Sequence, residues 1–129
     1  MKNYFHEKAV DIPLYRGKLV IILSNNMEQV KSTVECFDKD ELFAHSCLRN
    51  YKGIQGFFII LNFDNSFAYM TYGIITHEIV HTTGEIADAR GIVPDFDNDE
   101  PLAYLAEWIA EIVYEFVESK GFKLKHHTK

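Results

Sequence analysis

GFFIILNFDNSFAYMTYGIITHEIVH (residues 56–81) joins two kinds of apolar pattern. From Gly56 to Phe63 the chain is a continuous apolar run of strand length. Beyond it Ile74, Ile75, Ile79 and Val80 recur at spacings that fit one side of a helix. Between the two, Asp64-Asn65-Ser66 stops a strand and offers side-chain oxygens to start a helix. A strand followed by a helix over about Phe67 to Ala89 is therefore expected, despite Gly73 and Gly84. Gly91, Pro94 and the acidic stretch Asp95 to Asp99 end it.

Upstream, two short apolar runs, Ala9 to Leu14 and Lys18 to Leu23, flank Tyr15-Arg16-Gly17 and read as a hairpin. Asn25, followed three residues later by Glu28, has the form of a capping box. In the helix expected after it, Met27, Val30, Val34 and Phe37 form one apolar stripe. The segment Leu42 to Leu48 reads as a strand joined to the Phe57 to Phe63 run through Arg49-Asn50-Tyr51-Lys52-Gly53. Downstream, Leu102, Leu105, Ile109, Ile112, Val113 and Phe116 predict a helix over about Glu100 to Ser119, closed by Gly121. The sum is one α+β domain over residues 1–129, a small mostly antiparallel sheet with helices packed on one side.

Composition narrows the function classes. The chain is 47% hydrophobic and 25% charged, which supports a packed core rather than disorder. A net charge of −6, with no cluster of Lys and Arg, argues against a nucleic-acid surface. The basic C-terminal residues Lys120, Lys123, Lys125, His126, His127 and Lys129 read as a solvated end. No segment has the length of a membrane span, and the N-terminus lacks the apolar run of a signal peptide, so a cytoplasmic protein is expected. Cys36 and Cys47 lack metal-binding spacing and are expected to be buried thiols.

The chemistry is concentrated in His77-Glu78-Ile79-Val80-His81. Two imidazoles four residues apart on a helix project from one side toward one point, which is half of a tetrahedral zinc site. Glu78, one step round the helix, is placed to reach a water on the ion rather than the ion itself. Zinc lowers the pKa of bound water from about 15.7 to near 7, and a carboxylate beside it removes the proton as the water attacks a carbonyl. Without metal, the same histidines would be satisfied by neighbours such as Glu78, Glu85 or Asp88.

A catalytic zinc takes three protein ligands and leaves a fourth position open. Candidates for the third are Glu85, Asp88, Glu100, Glu107, Glu111, His126 and His127. Glu85 and Asp88 share the histidines' helix and suit contacts that orient the ligands. Glu100 and Glu107 lie on the next helix, after a reversal. Glu100 also fits the end of an Asp97-x-x-Glu100 capping box. Tyr69, Tyr72 and Tyr104 are candidate donors to an oxyanion. The Gly56 to Phe63 strand could bind an extended peptide at a sheet edge.

Thr76 to His81, followed by Asp99-Glu100-Pro101-Leu102-Ala103-Tyr104-Leu105, resembles the gluzincin type of zinc metallopeptidase, and most of all its small phage and bacterial stress-regulator members. The resemblance spans Gly56 to about Glu111. It implies a zincin-like fold, a Zn²⁺ cofactor, a peptide or protein substrate, His77 and His81 as ligands and Glu78 as general base. It also implies Glu100 as third ligand, with Glu107 as the alternative. The larger gluzincins carry an acidic residue where this chain has Tyr104, which leaves Asp88 or Glu107 to orient a histidine. A second function fits the same residues: a zincin-like binding or regulatory protein of phage or mobile-element type, with zinc structural or absent.

Overall fold

The computed structural model describes residues 2–34, 44–63 and 70–126. Four strands, β1 (Phe5–Asp11), β2 (Lys18–Ser24), β3 (Ala44–Tyr51) and β4 (Ile54–Asn62), form one sheet in the order β1-β2-β4-β3. Three helices accompany it: α1 (Met27–Thr33), α2 (Tyr72–Ala89) and α3 (Glu100–Ser119). The outer pairings, β1 with β2 and β3 with β4, are antiparallel, while the central pair β2 and β4 is parallel. The expected α+β domain with a mostly antiparallel sheet is present as a mixed sheet. Cys36, Phe37, Asp64 to Tyr69 and His127, named in the sequence reading, lie outside the described residues.

The parallel centre follows from burial. Leu19 to Leu23 of β2 and Phe57 to Leu61 of β4 are all buried, so neither strand has a wet face and both faces of the sheet must be covered. On one face Leu19, Ile21, Leu23, Phe57, Ile59 and Leu61 pack against α2 and α3. On the other, Val20, Ile22, Phe58, Ile60 and Cys47 pack against Met27, Val30 and Val34 of α1 and its end. The expectation of helices on one side is corrected here. The alternation within an all-apolar strand demanded a second layer, and α1 supplies it. The burial of Cys47 pushes its thiol up to about 11, which leaves it protonated and unreactive at neutral pH.

Local chemistry sets the element ends. The β3–β4 hairpin turns at Lys52-Gly53, both with positive φ, and Asn50 Oδ1 accepts from the Gly53 amide at 3.1 Å. This tight turn lets Arg49, Asn50 and Tyr51 stay in the strand instead of forming the longer loop expected. α1 is capped by Asn26, whose side chain accepts from the Gln29 amide, while Asn25 instead binds the backbone of Tyr4 and Lys2. The cap moved by one residue because Asn25 is engaged by the segment that precedes β1. α2 begins on Thr71, whose hydroxyl accepts from the Ile74 amide at 3.0 Å. α3 has the bounds read from the sequence, with Pro101 in its first turn. None of the described helices is long and apolar enough to cross a membrane.

Arg90, at the end of α2, ties three elements together. Its Nε donates to the Tyr15 carbonyl, its Nη2 to the Arg16 carbonyl at 3.1 Å and its Nη1 to Gln55 Oε1 at 2.7 Å, with the guanidinium over the Phe57 ring. Arg90→Ala is expected to lower stability by about 1–2 kcal/mol, the loss of a charged donor to two turn carbonyls, measured by urea unfolding. Arg90→Lys should recover little of this, because an ammonium cannot reproduce the fork.

Candidate metal site on α2

α2 and α3 run antiparallel. At one end Thr76 Oγ1 and Tyr114 Oη are 2.6 Å apart, Tyr114 donates to the Tyr72 carbonyl, and Tyr72 pairs with Lys125 just past α3. At the other end Arg90 donates to the Tyr15 carbonyl in the β1–β2 turn, and Glu100 lines a groove with the same tyrosine. Burial raises the Tyr114 hydroxyl above its ordinary value, with the Thr76 hydrogen bond opposing, so at neutral pH it stays a donor.

α3 therefore lies on the Thr76 side of α2. At about 100° per residue, His77 and His81 stand about 100° and 140° round the helix from Thr76, turned away from α3 and outward to solvent. Their Nε2 atoms approach to 3.0 Å, with ring centroids 4.6 Å apart and the planes at 75°. Two nitrogens at about 2.0–2.1 Å from a tetrahedral ion would be separated by about 3.3 Å, so the pair needs little adjustment to share one metal. The two rings are brought together as the four-residue spacing predicts.

Glu78, one step round α2 from His77, is only 7% exposed. On the same flank, one turn past His81, stands the half-buried Glu85. Burial lifts the Glu85 carboxyl above its ordinary value. His81 and Arg49 pull it back, and the Glu78 carboxylate pushes it up. Arg49 comes from β3, the outer strand that α2 crosses. Glu85 Oε1, Arg49 Nε and Thr82 Oγ1 are buried with no hydrogen-bond partner among the described residues. Polar atoms left this way are costly, so the seam between α2 and β3 is a place where further groups would be held. Arg49 and Thr82 were not singled out in the sequence. The signal available was a lone Arg on an apolar strand, which becomes informative only once β3 is known to be the edge beside α2.

The remaining predicted residues lie elsewhere. Glu100 is exposed at the start of α3, against Tyr15 and level with Arg90, which is nine residues or about 14 Å along α2 from His81. Glu107 and Glu111 are exposed opposite the buried Leu105, Ile109 and Val113 stripe of α3. Asp88 is exposed on α2, and His126 stacks on Tyr72 at 5.2 Å. Tyr104 faces the same groove as Glu100. Among the described residues no group of three or more His, Cys, Asp and Glu side chains is assembled to hold a metal ion. β4 pairs on both sides, so the edge expected of the Gly56 to Phe63 strand belongs to β3 instead.

No protein-family model, curated protein or solved structure matches this chain.

Proposed function

We propose that the chain is a zinc-dependent peptidase whose metal is held by His77 and His81, with Glu78 as general base. The observation that carries this reading is the 3.0 Å approach of the two Nε2 atoms on the outward face of α2, beside a nearly buried carboxylate. A bound zinc supplies an acidified water and polarises a carbonyl. Glu78, shielded from bulk solvent, takes the proton from the attacking water and returns it to the leaving amine. Glu85, one turn beyond His81, acts as a carboxylate neighbour of that ring and favours its correct orientation. β3, the outer strand beside α2, has no strand paired on its far side among the described residues, and that edge would offer backbone donors and acceptors to an extended substrate.

The competing reading, a zincin-like binding or regulatory protein, is favoured by one feature: Glu100 stands apart from the histidine pair. Glu78→Gln separates the two. In the peptidase it leaves zinc stoichiometry intact and lowers cleavage of a quenched-fluorescence peptide library by about a hundredfold or more. If purified wild-type protein takes up no stoichiometric zinc in metal-replete buffer, or if its cleavage survives chelation, the peptidase reading is wrong. If zinc binds and Glu78→Gln changes no measurable property, the regulatory reading replaces it.

A further inference from the structure

Between the β1–β2 turn and the first turns of α3 lies a groove of about 470 Å³. Leu14, Tyr15, Pro101, Tyr104 and Trp108 give it apolar walls, and Glu100 is the one charged residue among those that line it. We propose that this groove docks a peptide segment carrying a large apolar side chain beside a lysine or arginine.

Three independent features of the groove carry this. The first is the lip: Leu14 is 95% exposed and held at φ 68°. A leucine in the left-handed region is strained, and one presented to water also forgoes burial, so a partner that packs on the side chain recovers the second cost. The second is the apolar lining beside it, where Pro101 and Tyr104 are exposed on the groove wall and Trp108 is half-buried. Exposed aromatic and aliphatic groups gathered at a concavity mark contact surfaces.

The third is charge, and it selects the partner. Asp95, Asp97, Asp99 and Glu100 are all exposed on the connection and the groove wall, and none has an ion-pair partner among the described residues. No Lys or Arg lines the groove. An apolar side chain entering between Leu14 and Trp108 would thus bring its neighbours toward Glu100 and the acidic connection that leads into it, which favours a basic flank and repels an acidic one. This site is separate from the histidine pair and does not rest on the peptidase reading.

Trp108 is the chain's single tryptophan, so its emission reports directly on the groove. The probe is a tryptophan-free synthetic peptide with phenylalanine flanked by lysines, compared with a control in which glutamates replace the lysines. The full chain is expected to show a saturable Trp108 shift with the lysine peptide only, weakened by added salt. Glu100→Lys should weaken binding by about tenfold, and Leu14→Asp should remove it. Both positions are exposed, so circular dichroism should be unchanged in either variant. The proposal is overturned if the lysine peptide gives no saturable shift, if the acidic control binds as well, or if both variants bind like wild type. It is overturned equally if Trp108 emission changes with protein concentration alone and sedimentation shows a dimer, since the occupant is then a second copy.

Discussion

His81→Ala is expected to lower zinc affinity by about two to three orders of magnitude, while Glu100→Ala leaves it unchanged. Structural zinc sites with four ligands bind with roughly 10–16 kcal/mol, so one ligand accounts for about 2.5–4 kcal/mol, which is on the order of a hundredfold to just under a thousandfold. His77→Ala should match His81→Ala, because the two Nε2 atoms converge on one point and neither ring has a substitute nearby. Both side chains are solvent-facing, so their removal should leave unfolding curves of the metal-free protein unchanged. Glu100 differs by position: α2 continues for eight residues past His81 before the chain reverses, which carries the start of α3 well beyond the histidines. Competition with a chromogenic chelator measures all three variants. Equal losses for Glu100→Ala and His81→Ala would show that α3 meets α2 in a different register in solution.

That contrast separates what local spacing fixes from what it does not. The motif is local: a four-residue spacing on a helix fixes the relation of His77 to His81 whatever surrounds them, so the ring pair was legible. The third ligand is not local. A glutamate nineteen residues after His81 falls beside it only if the first helix ends soon after the motif, and spacing alone does not say where the reversal occurs. Gly84 suggested no stop and makes none. The helix runs on to Ala89, then Gly91 at φ 70° turns the chain away.

The fold was legible to a similar depth and failed for a similar reason. Strand and helix types followed from periodicity, and α3 was bounded to the residue by its leading acidic loop and closing Gly121. The partner of each strand did not follow. β4 reads equally well as an edge or a centre, because a run such as Phe57 to Leu61 says only that both faces are buried. Its position beside β2, in parallel, required α1 to cover the far face, and with that the free edge passed to β3. The consequence reaches the candidate site, since it brings Arg49 of β3 near the flank of α2 that holds Glu85.

Phe57→Ala should remove a large share of the chain's stability, about 3–5 kcal/mol out of a total that for such domains lies near 5–15 kcal/mol. Phe57 heads the largest fully buried side chains and lies on the face of β4 covered by α2 and α3, with its ring beneath the Arg90 guanidinium. Both neighbouring strands are rigidly paired to β4, so the backbone cannot collapse into the space left behind. The loss therefore includes the cavity as well as the transfer of the ring. Phe57→Leu keeps most of the volume and should cost less than half as much. Phe96, of the same chemical type but 99% exposed, is the internal control: Phe96→Ser should change stability by no more than about 0.5 kcal/mol. Urea midpoints of the three variants decide the matter. If Phe57→Ala and Phe96→Ser unfolded together, the two-faced burial that places β4 at the centre of the sheet would be refuted, and with it the assignment of the free edge beside α2 to β3.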